Sequence, residues 1–386
     1  LPPQVRPIVS RALTSVGVGV MALWLSACST QPQRVGVDYP PVPAPRNSVA
    51  TPPAQRPPVP AIESFAAGNG HDARYERSAL LTDTVYRNAE VLLQQVSRSG
   101  AMGINRGWES NARKGGEWYI EEQRFADTII GAGVNRNRAD LIDAGLRALE
   151  WGFAQQAPDG SFPCRDNFLS TSYFVAAAGH TIWLLETSGS NRGFETRLGA
   201  IREPLSRAAR WLMSNSDLSS VTTQADTFVS RYFLTGYALA ISGRVLGSQD
   251  LSVAGAANVR KGLERQLPSG VFPESGGFDA SFQAEALVYL LRFSDHAASQ
   301  SMRNAAAGPL SRGLQWLEGR VNAQGVVSTV GNSRAGAGKE RDRTGQPRRI
   351  SAVAVSRAFG LARFVLDGAE PYERLARLVA LAKQPS

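Results

Sequence analysis

Apolar positions along the 386-residue chain follow two regimes. Leu13 to Ala27, "LTSVGVGVMALWLSA", is predominantly apolar but too short to cross a hydrocarbon core of roughly 30 Å, which takes about 20 such residues. From about Ala61 onward the apolar residues recur at three and four spacing, the pattern of helices with a buried stripe. It predicts helices in "YERSALLTDTVYRNAEVLLQQVSR", "ADLIDAGLRALEWGFAQQ", "LGAIREPLSRAARWLMSN" and "ALVYLLRF", separated by glycine, proline and serine. Alternation suited to a strand is confined to "GVVSTV", so the block reads as all-α.

The helical pattern repeats. A helix ending near tryptophan or leucine runs into a small-polar loop, and a second helix opens with an acid or hydroxyl residue. Clear copies are "LEWGFAQQAPDGSFPCRDNFLSTSYFVAAAGHTIWLL", "AARWLMSNSDLSSVTTQADTFVSRYFLTGYALAIS", "LERQLPSGVFPESGGFDASFQAEALVYLL" and the stretch from "LQWLEGRVNAQGVVSTV" to "ISAVAVSRAFGLARF". "LLQQVSRSGAMGINRGWESNARKGGEWYIEEQRFADTIIGAG" is a weaker copy, and "PYERLARLVALAKQ" adds a further helix. Stacked hairpins form an open solenoid or close into a ring. Alanine and glycine in the second helices ("ADTIIGAG", "FVAAAGH", "LTGYALAIS") favour closure by letting helices crowd at the inside. In a ring, the loops that lead into second helices emerge at one end and gather their residues at a single mouth.

Ahead of the helical block, "QPQRVGVDYPPVPAPRNSVATPPAQRPPVP" holds too much proline for helix or sheet and reads as an extended tether, at roughly 3.1 Å per residue. Arg6 and Arg11 precede the apolar run, no acid occurs before Cys28, and small residues lead up to it, the order of a secretory signal. "LSAC", Leu25 to Cys28, resembles the lipobox of bacterial lipoproteins, which implies cleavage before Cys28, lipidation of its sulfur and attachment to an envelope membrane. The expected organisation is a signal peptide at 1–27, a lipidated cysteine and proline-rich tether at 28–60, and one helical domain at 61–386. Loss of Arg6 and Arg11 lowers the formal charge from +9 to +7. Cys164 then has no partner within the chain, so no disulfide is expected.

Arginine supplies nearly all the positive charge, lysine occurring only at 114, 261, 339 and 383. The planar guanidinium suits carboxylate or sulfate groups of an acidic polymer, although GC-rich coding would produce the same bias. No zinc-finger or RNP-like motif points to nucleic acid. Three histidines, His71, His180 and His296, make no ligand cluster, and neither a metal nor a cofactor is expected.

The longest loops, Ser99 to Trp118 and Gln324 to Ile350, are where substrate contacts are expected first. The first gathers Trp108, Glu109, Asn111, Arg113, Trp118 and Tyr119, rings and polar groups suited to a sugar, or tryptophans that plug the core beneath. "DNFLSTSYFVAAAGHT" offers Asn167, Tyr173 and His180. Tyr173 and His180 lie two turns apart on one helical face, and elimination from a uronate needs such groups to neutralise, abstract and protonate; His180 alternatively serves only the core. "QADTFVSRYFLTGY" brings Asp226, Arg231, Tyr232 and Tyr237, with Arg231 either binding an anion or forming an internal ion pair. "PESGGFDASFQAEAL" brings Glu274, Asp279, Ser281 and Gln283, where Asp279 caps a helix, as Asp127 and Asp226 would, or does chemistry. Arg334 belongs to a basic glycine-rich loop, "GNSRAGAGKERDRTGQPRR", that either closes over a polymer or is a solvated excursion. Hydrolysis would require two carboxylates roughly 5 to 9 Å apart, drawn from Glu109, Asp127, Asp226, Glu274 and Asp279.

"FAQQAPDGSF" resembles the repeat edge of the squalene-cyclase and prenyltransferase toroids, while the layout from Asp72 to Lys383 resembles the (α/α) toroid polysaccharide lyases and glycosidases of the alginate-lyase and heparinase type. "PESGGFDASFQ" resembles the "DGSYxQ" stretch of such lyases with Phe282 where a tyrosine would stand, so no catalytic phenol carries over there. The likeness implies an (α/α) toroid of five to six hairpins that binds a polysaccharide. Catalytic candidates are Tyr173, His180, Asp226, Glu274 and Asp279; substrate-binding candidates are Trp108, Glu109, Asn111, Trp118, Tyr119, Asn167, Arg231, Tyr232, Gln283 and Arg334. A non-catalytic glycan-binding or scaffolding accessory is the alternative. A terpenoid cyclase is disfavoured, because "DxDD" and "DDxxD" are missing.

Overall fold

A computed structural model describes residues 78–108, 118–215, 228–336, 338–342, 345–366 and 369–384. The expected signal peptide, Cys28 and tether lie outside them, as do Glu109, Asn111, Arg113, Asp226 and the side chain of Trp108. Among the described residues the protein is all-α, with isolated bridges and no strand. The "GVVSTV" stretch contributes only a bridge, Val321 to Val327.

After a π-turn at Leu81–Val85 come α1 (Ala89–Gln94), α2 (Ala126–Arg136), α3 (Ala139–Phe153), α4 (Asn167–Thr187), α5 (Glu195–Ser214), α6 (Ser230–Leu246), α7 (Gln249–Leu263), α8 (Ala280–His296), α9 (Gln300–Glu318), α10 (Ala352–Val365) and α11 (Glu370–Leu381). A 3₁₀ turn, Ile120–Phe125, leads directly into α2. The expected continuous helix over the first hairpin is broken instead. Asn88 stands in the left-handed region at φ 67° between the π-turn and α1, a conformation asparagine tolerates.

Two helix types alternate, and their sequences say why. In α3 a single stripe is buried, Leu141, Ile142, Leu146, Leu149 and Phe153, while Asp140 and Asp143 keep water. In α4 every residue from Phe168 to Leu185 is buried, and α6 and α8 are nearly as enclosed. These enclosed helices pack in series, α2 on α4, α4 on α6, α6 on α8 and α8 on α10. α10 then packs on the π-turn, which touches α2 as well. The half-exposed helices α3, α5, α7, α9 and α11 flank them.

Small residues act partly where expected. Gly179 of α4 lies where an added Cβ would meet Ile241 of α6 at 2.8 Å. In α6, however, Gly236 and Gly243 face the flanking α7: a Cβ would meet Val259 at 2.6 Å and the Ser252 backbone nitrogen at 2.6 Å. Glycine there brings each hairpin's two helices together and is not confined to contacts between enclosed helices.

The hairpin register is set by a turn that recurs four times. In "SRSGAM", "APDGSF", "LPSGVF" and "NAQGVV", the residue three before the glycine both accepts from the glycine N–H and donates to the residue just after it. Gly100, Gly160, Gly270 and Gly325 have φ of 109°, 93°, 89° and 78°. A Cβ on any of them would collide with the carbonyl of a flanking helix, at Arg147, Arg207, Arg312 or Leu378. Gln156 and Gln266 each donate to their turn glycine and to the carbonyl of a mid-helix proline, Pro204 or Pro309.

Candidate functional site

Three inner elements bring their first turns together with the 3₁₀ turn before α2. Tyr173 lies in the second turn of α4 and Glu285 in the second turn of α8, close enough for the carboxyl and the phenol to shift each other's titration. The Arg124 guanidinium sits 4.6 Å from the Tyr173 ring and 3.4 Å from Glu121. Tyr289, one turn beyond Glu285, has its ring 6.2 Å from that of Tyr173. On α10, Ser351 caps the helix, and its N–H donates to the Ser281 hydroxyl.

Glu285 keeps accessible surface although protein packs round it, as does Arg357 further along. Both are therefore charged side chains with some accessible surface set among enclosed helices. Burial pushes the Glu285 carboxyl above the ordinary glutamate range, against the pull of Tyr173, Arg124, Arg334 and Arg348. Burial and Glu285 both hold the Tyr173 phenol protonated, far above the usual tyrosine value. The pair is therefore a carboxyl made more basic by burial beside a phenol that keeps its proton.

Beyond Tyr289 lies a second polar layer. Asp127 accepts from His180 Nδ1 at 2.5 Å and from Arg292 at 2.8 Å. Burial opposes the Asp127 charge, but Arg292 and His180 together hold its carboxyl well below the usual range. His180 and His296 stack 5.2 Å apart with Trp183 against His296 at 3.7 Å, and Tyr237 bonds His296 Nδ1 at 3.0 Å. Burial depresses both histidines, His296 to about 4, so the layer holds them neutral at pH 7. Arg357 reaches across from α10 to the Val85 carbonyl at 3.0 Å and the Thr128 hydroxyl at 3.1 Å. The π-turn leaves that carbonyl available.

A third assembly anchors the long loop before α10. Buried Arg334 holds Glu274 at 2.6 Å and Glu340 at 3.0 Å and lies 3.9 Å over the Phe282 ring. Ala335 N–H donates to Asp279 at 2.7 Å and Ser333 N–H to the Phe278 carbonyl at 2.7 Å. The basic loop is thus folded onto the start of α8, which corrects the reading of it as a solvated excursion.

The candidates separate accordingly. Tyr173 and His180 do share a face, but Tyr173 meets Glu285 near the helix starts while His180 belongs to the Asp127 layer. Asp127 does not cap α2; it is an internal charge. Asp279 does cap α8, its Oδ1 taken by Ser281 and Phe282 and its Oδ2 by Ala335. Glu274 has one oxygen on Arg334 and the other on Ser230. Gln283 binds the Phe272 N–H and the carbonyls of Gly270 and Gly313, so it braces a turn, and Arg334 holds a loop. Trp118 plugs the core, donating to the Pro163 carbonyl at 3.0 Å and meeting Trp151 edge to face. Tyr119 and Tyr232 are buried, Asn167 is exposed at the start of α4, and Arg231 is half-buried against Phe228 with no carboxylate within salt-bridge distance among the described residues.

Arg124, Glu285, Tyr289, Arg292 and Arg357 were not singled out from sequence. The signal for three of them was present. In "FQAEALVYLLRFSDH", Glu285, Tyr289, Arg292 and His296 recur at four, three and four spacing on an otherwise enclosed helix, a polar stripe that can only face an interior. Among the described residues no group of His, Cys, Asp and Glu could hold a metal ion. Neither a protein-family model nor a curated protein matches this chain.

Proposed function

We propose that the chain is an (α/α) toroid that cleaves an acidic polysaccharide by elimination, working from the cell envelope on a lipid anchor and a proline-rich tether. What supports the toroid is the series of enclosed helices whose last member packs on the π-turn that also touches the first. What carries the activity is one observation, a partly accessible carboxyl, Glu285, close to Tyr173 and to Arg124 on an otherwise enclosed helix, a setting we take to line an internal hollow.

Elimination from a uronate breaks the C4–O4 bond and forms a C4–C5 double bond. Glu285 takes the C5 proton, burial having made its carboxylate a stronger base than an exposed glutamate. Tyr173 gives its proton to the departing O4. Arg124, 4.6 Å from the Tyr173 ring, neutralises the uronate carboxylate in this scheme. Retaining or inverting hydrolysis would need a second carboxylate, and among the described candidates both oxygens of Asp127, Glu274 and Asp279 are already engaged, Glu109 and Asp226 lying outside the described residues.

The test is the purified full-length protein against acidic and neutral polysaccharides, following the ultraviolet absorbance of unsaturated uronates and reducing ends in parallel. New absorbance with equal reducing ends is expected, and Tyr173→Phe and Glu285→Gln should each lower it by about 100-fold or more while leaving the circular dichroism unchanged. Reducing ends without absorbance would mean hydrolysis. Silence in both, with binding retained, would mean a glycan-binding accessory.

A further inference from the structure

At the inner end of the hollow, charges do not balance. Arg357 bonds only neutral groups, the Val85 carbonyl and the Thr128 hydroxyl, and no carboxylate lies within salt-bridge distance of it among the described residues. The acid of this layer, Asp127, is already claimed by Arg292 and His180. Facing Arg357 from the neighbouring elements are Arg292, Tyr86 and Tyr289, none of them an anion at pH 7, and Asp127, whose two oxygens are taken by His180 and Arg292. Arg292, itself 5% exposed, has a buried Nε with no hydrogen-bond partner. Two guanidinium groups thus share one carboxylate, and the second keeps accessible surface inside the hollow. A buried charge with only a share in one counter-charge is costly, and an added anion would offset that cost.

We propose that Arg357, backed by Arg292, forms an anion-binding subsite at the floor of the hollow that receives an oxyanion group, carboxylate, sulfate or phosphate, carried by the end of the substrate. Helical rise supports a separate subsite. Glu285 and Arg292 are seven residues apart on α8, about 10 Å along its axis, so an anion at Arg357 leaves the Tyr173–Glu285 pair to act on a bond further out. Beside the two polar layers, the aromatic stack of Trp183, His180 and His296 fills the space next to Asp127 and closes the floor. The substrate enters by its end and is read from that end. This direction of action rests on the proposed glycan cleavage; the anion site does not.

Calorimetric titration of the full-length protein with glucuronate, sulfate and inorganic phosphate at constant ionic strength tests the site directly. Saturable binding of at least one is expected, weakened tenfold or more in Arg357→Gln, partly retained in Arg357→Lys, and unchanged in Arg210→Gln, which alters an exposed arginine of α5. Glucuronate binding alone would identify a carboxylate terminus, and sulfate or phosphate binding alone a sulfated or phosphorylated one. Absence of saturable binding to the wild type, or equal binding by a folded Arg357→Gln, overturns the subsite. If Arg357→Gln fails to fold, Arg357→Lys decides: binding equal to wild type for every anion would mean that the arginine geometry contributes nothing. Where cleavage is observed, products released singly from one end support reading from that end, and random internal products overturn it without touching the anion site.

Discussion

Glu122 is enclosed beneath the Gly103–Trp108 turn, where burial pushes its carboxyl up to about 7 against the pull of Arg124. In the unfolded chain a glutamate titrates near 4.3. The folded state therefore binds a proton that the unfolded state has released between those values, and the stability it confers is present below about pH 4.3 and lost as pH rises through 7. Glu122→Gln removes that loss. Relative to wild type, its urea-unfolding free energy should improve by on the order of 3 kcal/mol between pH 4.5 and pH 8; a gap that stays constant across that range would show that Glu122 does not carry the shift. Burial pushes Glu285 the same way, but Glu285 keeps accessible surface and feels Tyr173 and the charges of three arginines. A carboxyl sealed from solvent only alters stability, whereas one that a substrate can reach has chemistry to offer.

At the scale of the element, the glycine turns hold most of the architecture's precision. Gly160→Ala and Gly270→Ala each force a Cβ into the positive-φ region and against a helix carbonyl, and each should cost on the order of 1–3 kcal/mol in urea unfolding. Gln283→Ala should cost about the same, since it strips partners from one buried N–H and two carbonyls. Helix existence was legible because apolar spacing reports burial, and the hairpin repeat was legible in "FAQQAPDGSF". The match among "SRSGAM", "LPSGVF" and "NAQGVV" was not, since their common feature is a backbone conformation around glycine and not a shared side chain. Partner choice escaped for a similar reason. Nothing in "ADTIIGAG" says that Asp127 will meet an arginine 165 residues later instead of capping its own helix, and Glu285 needs Tyr173 beside it before it stands out.

At the scale of the molecule, the enclosed helices form a succession whose last member meets the first segment, and address and architecture are separate questions. The address is tested on Cys28: a Cys28→Ala protein should lose labelled palmitate and move from the membrane to the soluble fraction, while its unfolding midpoint stays where the wild type has it. Unchanged palmitate uptake would remove the lipid anchor from the proposal. The architecture has a consequence for how the protein comes into being. Arg357 bonds the Val85 carbonyl across 272 residues of chain, so the two sides of the proposed anion site are synthesised far apart in time. A nascent or truncated chain that has completed four hairpins still lacks the residue that finishes the floor. Such a product would lack the proposed anion site, and the activity proposed for the protein would begin only once α10 has docked on the π-turn.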